Sequence, residues 1–251
     1  MEAFTPLHGG VALAELGGYG DGPFCARHGA GAALVTMGTY VIAPEGAVRY
    51  HPAFSFPPHP ARYQPYLQEH VRLAHQSGAR VAVSAISLEL AHTVDFLAAA
   101  AQAGADFVSL CAHSTMPVFL EAGLGAALCR RERWSALREW VAALQRAVPV
   151  PLIVKMRGDP AAAALVEELA AAGVPAVHAN VGTSDPGSPG LRAVAALAGR
   201  GPFLIVSGGV KDLAGAQRVV AAGADLAAVG RAAVDNPRLL GELQAGLQPA
   251  G

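Results

Sequence analysis

Residues 203–240 read FLIVSGGVKDLAGAQRVVAAGADLAAVGRAAVDNPRLL. The apolar run Phe203–Val206 is broken by Ser207-Gly208-Gly209, and an Ala-rich stretch, Leu213–Ala222, follows. Gly223 ends that stretch, and a second apolar run, Leu226–Val229, begins three residues later. A strand covered on both faces is almost continuously apolar, whereas one with a wet face alternates. Glycine just past a helix supplies the left-handed turn that sends the chain back. The stretch therefore predicts strand, crossover helix and strand, the unit of a parallel sheet.

The same punctuation recurs upstream as QSGAR (76–80), QAGAD (102–106) and AAGVP (171–175). Read outward from these joints, the chain predicts strands near Val11–Glu15, Ala33–Thr36, Val81–Ala85, Phe107–Cys111, Leu152–Met156, Ala176–Ala179, Phe203–Val206 and Leu226–Val229. The expected helices lie near Pro23–His28, Tyr63–Ser77, Leu88–Ala103, Arg133–Ala147, Ala161–Ala172, Leu191–Ala198, Leu213–Ala222 and Pro237–Leu247. Eight alternations predict an α/β fold, a single-domain (β/α)8 TIM barrel over residues 1–251. An open doubly wound sheet usually has fewer strands at this length. A long connection at 40–62, rich in Pro, His and aromatics, follows the second strand and is expected over the barrel mouth. Its Tyr50, Phe54 and Phe56, with His51 and His59, either line a planar pocket or pack the loop on the rim; rim packing is the favoured reading. A second long connection, Ala112–Glu132, follows the fourth strand.

Composition narrows the function. The 251 residues carry a net charge of −1, with 53% hydrophobic and 15% charged residues. That balance excludes a disordered chain. It also argues against a nucleic-acid binder, whose affinity comes from neutralising phosphates. The basic stretch Arg130, Arg131, Arg133 and Arg138 is interrupted by glutamates and reads as a solvated helix face. There is no apolar run of transmembrane length. The opening MEAFTPLHGG has no basic-then-apolar leader pattern. A cytoplasmic protein with no membrane contact is expected. Three scattered cysteines, Cys25, Cys111 and Cys129, suit neither a disulfide framework nor a zinc site, and no metal is expected.

In a barrel, chemistry collects where the strands end. Ser207-Gly208-Gly209 and Gly230-Arg231 end the last two strands, and a short helix at Ala232–Asp235 follows. Glycines let backbone N–H groups approach an anion, so these turns predict a phosphate site. Only two of the 18 basic residues are lysines, Lys155 and Lys211. Lys155 ends the fifth strand. There it sets a positive charge against an electron-rich ring, forms a Schiff base, or simply pairs with a carboxylate. His178 ends the sixth strand and is either a site residue or a core histidine.

With these motifs in order, the chain resembles the tRNA-dihydrouridine synthase family of FMN-dependent barrels. AELGGYGDGPF (14–24) resembles the family's APMAGVTDxPF. GADFVSLCAHS (104–114) sits where the family has GAxxIDINxGC, and LIVKMRG (152–158) resembles VTVKIRxG. AVHANVG (176–182) lies at TVHGRTR, and GADLAAVGRAAVDNPRLL (223–240) resembles GADGVMIGRGAxGNPWLF. The resemblance implies FMN, with its phosphate held by Ser207, Gly208, Gly209, Gly230 and Arg231. It implies Lys155, His178 and Asn180 beside the flavin and Leu16, Gly17 and Gly18 under the ring. NAD(P)H is the implied electron donor.

The departures from the family direct the choice of substrate. The family protonates its reduced uracil from a cysteine, and here Ser114 holds that position. Cys111 replaces an asparagine. Serine is a poorer acid than a thiol and needs a relay, to which Thr115 is a candidate contributor. His113, ordinarily near 6.5, is a better acid if it points inward. Related dihydroorotate dehydrogenases use either Cys or Ser. The family's tRNA-binding helical domain has no counterpart before the sequence ends at GLQPAG. The expected function is therefore an FMN-dependent oxidoreductase acting on a C=C or C=N bond of a small pyrimidine-like heterocycle. Ser114, His113 and Cys111 are its catalytic candidates. The alternatives are tRNA uridine reduction with a partner's help, which the charge disfavours, and a non-catalytic flavin- or phosphate-binding descendant.

Overall fold

Eight parallel barrel strands pair in chain order, β1 (Val11–Leu13), β2 (Leu34–Ile42), β3 (Arg80–Ser87), β4 (Phe107–Ala112), β5 (Leu152–Arg157), β6 (Ala176–Asn180), β7 (Phe203–Ser207) and β8 (Leu226–Val229), and a two-residue strand, Ser55–Phe56, adds in parallel to the end of β2 outside this order. β1 pairs with both β2 (Ala12 opposite Leu34) and β8 (Val11 opposite Ala227), so the sheet closes on itself. Closure leaves no open edge in the barrel. This computed structural model describes residues 2–247; Met1 and residues 248–251 of the expected 1–251 barrel lie outside the described residues. Helices alternate with the strands, the principal ones being Gly22–His28, Pro60–Ala74, Leu90–Gln102, Trp134–Ala147, Ala163–Ala171, Pro189–Leu197, Leu213–Ala221 and Leu239–Leu247. No helix among the described residues is long and apolar enough to cross a membrane.

Two corrections concern the long connection expected at 40–62. Residues 40–42 complete β2, because Tyr40, Val41 and Ile42 resume pairing with Ala85, Ile86 and Ser87 after a shift of register beyond Met37. The helix begins at Pro60, whose fixed φ suits a first turn. Phe54, buried, stacks on Tyr40 at 5.2 Å, and Phe56 packs on Tyr66 at 4.9 Å, so these two rings hold the loop to the rim. Tyr50 does otherwise and reaches the mouth.

Side chains of a strand alternate between faces with period two. Inside the barrel, Leu34, Ala82, Phe107, Ile153, Ala176, Ile205 and Leu226 pack together as an apolar layer. The turn Glu2–Leu7 plugs one end of it: Phe4 is fully buried, with ring centroids 4.6 Å from Phe107 and 5.3 Å from Phe203. Two residues along six of the strands, the inward positions turn polar: Thr36, Ser84, Ser109, Lys155, His178 and Ser207, all buried. This polar layer is the floor of the mouth.

Candidate active site

Two adjoining hollows open at the carboxyl ends of the strands. One, about 320 Å³, is lined by Gly17, Thr39, Val41, Tyr50, Ile86, Cys111, His113, Ser114, Thr115 and Met116. The other, about 260 Å³, is lined by Leu16, Gly182, Ser207, Gly208, Gly209, Lys211, Gly230 and Arg231. Glu15, Lys155 and Asn180 line both. A larger hollow of about 410 Å³ lies at the far end of the barrel against Thr5, Phe203 and Asp225. It is remote from the polar layer, and barrel chemistry belongs at the other face.

The junction of the two mouth hollows is built on a buried ion pair. Lys155 Nζ lies 2.9 Å from Glu15 Oε2, with both side chains under a tenth exposed. His178 Nδ1 is 3.5 Å from the same oxygen, and its Nε2 is 2.9 Å from Ser207 Oγ. Burial pushes the Glu15 carboxyl up, but the attraction of the Lys155 ammonium, with a smaller contribution from the His178 ring, outweighs it and holds Glu15 below its ordinary value. Glu15 is therefore a carboxylate at neutral pH. Burial, then the Lys155 ammonium, drive His178 down to about 3 against the pull of Glu15. The imidazole is neutral. In the neutral tautomer with its hydrogen on Nδ1, that hydrogen faces the Glu15 carboxylate, and Nε2 is free to accept from the Ser207 hydroxyl.

This buried network has a consequence for stability. Unfolded, His178 takes its proton near pH 6.5; folded, it waits until about pH 3. Between those values the unfolded chain binds the extra proton, so stability falls as pH falls. One such group contributes about 1.4 kcal/mol per pH unit, and Glu15 acts in the same direction. Urea midpoints at pH 7, 6 and 5 are expected to decline in step; a constant midpoint would reject a neutral His178.

The larger cavity carries the hydroxyl and thiol groups. Cys111 is the penultimate residue of the wholly buried β4, and burial, with Glu15 nearby, pushes its thiol up. Ser114 is held by its backbone: its carbonyl accepts from Ala126 N at 2.8 Å, and a Cβ at Gly125 would fall 2.5 Å from that carbonyl. The glycine of EAGLGAAL thus lets a loop close against Ser114. His113 lines the hollow, but burial, then Lys155, push it down to about 4, with Arg157 adding to the same effect. The sequence expected an imidazole near its ordinary value; the structure gives one that is uncharged at neutral pH. Tyr50 donates to the Thr39 carbonyl at 3.2 Å, and its hydroxyl sits against Gly17, where a Cβ would fall 1.8 Å away.

The smaller cavity is an anion cradle. Gly208 and Gly209 adopt φ of 109° and 78°. A Cβ on them would fall 2.4 Å from Gly182 N and 2.5 Å from Ser184 N, so glycine is required twice over. A Cβ at Gly230 would meet only Leu16 Cδ2 at 3.7 Å, which leaves the backbone open to a ligand. Lys211 and Arg231 supply two positive charges. The cradle fits a phosphate, and the adjoining cavity, with Lys155 and Asn180 at its edge, fits a polar ring. Together they lie within the roughly 300–1,000 Å³ usual for cofactor pockets. FMN has that shape and charge.

The structure thus gathers Gly17, Cys111, His113 and Ser114 around one cavity and Leu16, Ser207, Gly208, Gly209, Gly230 and Arg231 around the other. Lys155 and Asn180 line both. Two expected cofactor residues are placed elsewhere. His178 is part of the buried floor and lines neither cavity, its ring being held between Glu15 and Ser207. Gly18 faces the His51 ring, 3.5 Å from where a Cβ would stand. Glu15 and Thr39 are mouth residues the sequence reading did not assign, and Tyr50 lines the mouth where rim packing was the favoured reading. For Lys211 a signal existed, since it is one of only two lysines. Among the described residues, no group of three His, Cys, Asp or Glu side chains is arranged to hold a metal.

A family model described as dihydrouridine synthase matches residues 68–250 of the chain. The match takes in β3 to β8 and both turns of the anion cradle; the opening motif with Glu15 to Gly18 precedes it. No curated protein sequence matches the chain significantly. A solved structure of the FabK (M276A) mutant from Thermotoga maritima is similar in fold, with a TM-score of 0.59 at 14% identity. The similarity covers 93% of this chain and 64% of that one, so the chain spans less than two thirds of that structure's length.

Proposed function

This chain belongs to the dihydrouridine synthase family, and on that premise we propose that it is an FMN-dependent oxidoreductase acting on a C=C or C=N bond of a small pyrimidine-like heterocycle. One observation carries the reading: an anion cradle and a ring-sized cavity lined by hydroxyl and thiol groups meet at Lys155 and Asn180. The Gly208-Gly209 and Gly230-Arg231 turns, with Lys211, would hold the phosphate. Lys155 and Asn180 would border the ring. Bound FMN would supply two-electron exchange with the substrate, and NAD(P)H would be the reductant.

The chain's own residues supply the rest. Val41 and Ile86 give the larger cavity an apolar wall, which favours a flat heterocycle over a sugar. Ser114, at the family's cysteine position, faces the same space, and exposed Thr115 beside it links the site to water.

The visible spectrum of the purified protein, with the mass of any released ligand, tests the cofactor. A colourless protein that also fails to bind added FMN would sink the reading. Arg231→Ala and Lys211→Ala are each expected to weaken FMN binding about tenfold in a fluorescence-quenching titration; unchanged affinity in both would remove the phosphate assignment. Anaerobic reoxidation of the reduced protein by pyrimidines then tests the substrate class.

A second reading, reduction of uridine in tRNA, is favoured by a different observation. Beside the mouth, Arg130, Arg131, Arg157 and Trp134, with Asp159 as the one carboxylate, line a further hollow of about 360 Å³, with the Arg131 guanidinium 5.9 Å from the Trp134 ring centre. Such a patch suits a phosphate backbone with an unstacked base. The net charge of −1 argues the other way. Filter binding to bulk tRNA at two salt concentrations decides between them. Binding that weakens in an Arg130→Ala, Arg131→Ala variant would favour tRNA; no binding by the wild type would favour the small heterocycle.

A further inference from the structure

The best-buried carboxylate of the mouth lies outside the family-matched stretch. Glu15 takes the register position where the resemblance has proline, so nothing in that motif calls for a charge there. Yet its side chain is nearly inaccessible and lies 2.9 Å from Lys155 Nζ and 3.5 Å from His178 Nδ1. Its other oxygen is 3.5 Å from Ser84 Oγ. It also lines both cavities, at the point where they share Lys155 and Asn180.

We propose that Glu15 is a counter-charge that sets how much more tightly this site holds reduced than oxidised FMN. The inference rests on the flavin reading above. A lone ammonium beside the ring would favour whichever form of the ligand is more negative. Reduction adds electron density, so a lone Lys155 would pull the equilibrium strongly toward the reduced form. A carboxylate 2.9 Å from the ammonium converts that point charge into a dipole, whose field falls off more steeply with distance. The pair lets oxidised and reduced FMN bind more evenly, and bound reduced FMN is then a stronger reductant. Glu15 acts through Lys155 and is a positioning residue. The same oxygen lies 3.5 Å from His178 Nδ1, so the carboxylate sits between both side chains.

The test uses the FMN-loaded protein and reads the midpoint potential of bound against free FMN, which gives the ratio of affinities for the two forms. Glu15→Gln is expected to raise the reduced-to-oxidised affinity ratio about tenfold, or about 30 mV for a two-electron couple. Lys155→Met is expected to lower it by about tenfold. Combining the two removes both charges and should return the ratio to within about threefold of the wild type. Glu15→Asp, which keeps the charge, should also remain close to it. A wild-type ratio in Glu15→Gln overturns the inference and assigns Glu15 to stability alone. Should that variant fail to fold, the double variant decides the same question, since with both charges removed its ratio must return to within about threefold of the wild type. A wild-type chain that binds no FMN at all overturns the flavin reading and this inference together, whereas FMN binding with an unmoved ratio overturns the inference only.

Discussion

Lys155→Ala is expected to destabilise the folded chain by about 3–5 kcal/mol, seen as a lower urea midpoint at pH 7. Hardly any of the effect comes from lost attraction. The Lys155 and Glu15 side chains are 7% and 3% exposed, so removing the ammonium leaves a carboxylate in the barrel with no cation beside it. The neutral His178 cannot take over that role without gaining a proton that its burial opposes. Glu15 must then either hold an unpaired buried charge or take a proton itself, and both are uphill. The partner substitution separates this from packing loss. Adding Glu15→Gln to Lys155→Ala removes the stranded charge and should recover more than half of the lost stability. A double variant no more stable than Lys155→Ala would mean that the cavity left by the lysine stem, and not the stranded carboxylate, sets the loss.

That pair also shows what one-dimensional reading reaches. The eight strands were legible because each is a short, nearly unbroken apolar run bounded by Gly, and burial on both faces demands that pattern. The anion cradle was legible for a related reason: Gly208, Gly209, Gly230 and Arg231 are close in sequence, and their backbone geometry is a local property. Lys155 stood out by rarity, and among the readings left open for it the ion pair is present in the structure. Its partner was not legible. Glu15 and Lys155 meet only because closing the barrel brings the end of β1 across to the end of β5, and no spacing rule encodes that. His178 was expected at the ligand for the same local reason, its place at a strand end, but its ring is taken up within the floor by Glu15 and Ser207. The end of β2 was missed because Gly38 reads as a break, whereas the strand passes it with a shift of register and continues to Ile42. Phe4 was missed because a plug needs only one well-placed ring, and one ring makes no pattern.

Ser114→Ala is expected to lower substrate turnover at least about 100-fold, in line with loss of a positioned proton donor, while FMN affinity stays unchanged. The side chain lines the larger cavity, away from the anion cradle. The hydroxyl accepts from the Met116 N–H only at a long 3.4 Å, whereas the Ala126 N–H at 2.8 Å and the close approach of Gly125 hold the backbone carbonyl, so the backbone contacts dominate its position. Alanine should therefore delete the proton source without moving the loop. His113→Ala should change turnover by less than about threefold, since an imidazole pushed down to about 4 has no proton to give at neutral pH. The pH profile separates the two donors. With Ser114 as the donor, the rate is flat from pH 5 to 8; with His113, it rises steadily as pH falls toward 4, because the protonated fraction grows about tenfold per unit. Ser114→Cys adds a contrasting arm. A thiol near 8.5 is a far better acid than a hydroxyl, and the family's own residue at this position is cysteine, so turnover should rise. If Ser114→Ala keeps wild-type turnover and Cys111→Ala loses it, the proton comes from the buried thiol on β4, and the departure from the family lies in which strand-end residue carries the acid.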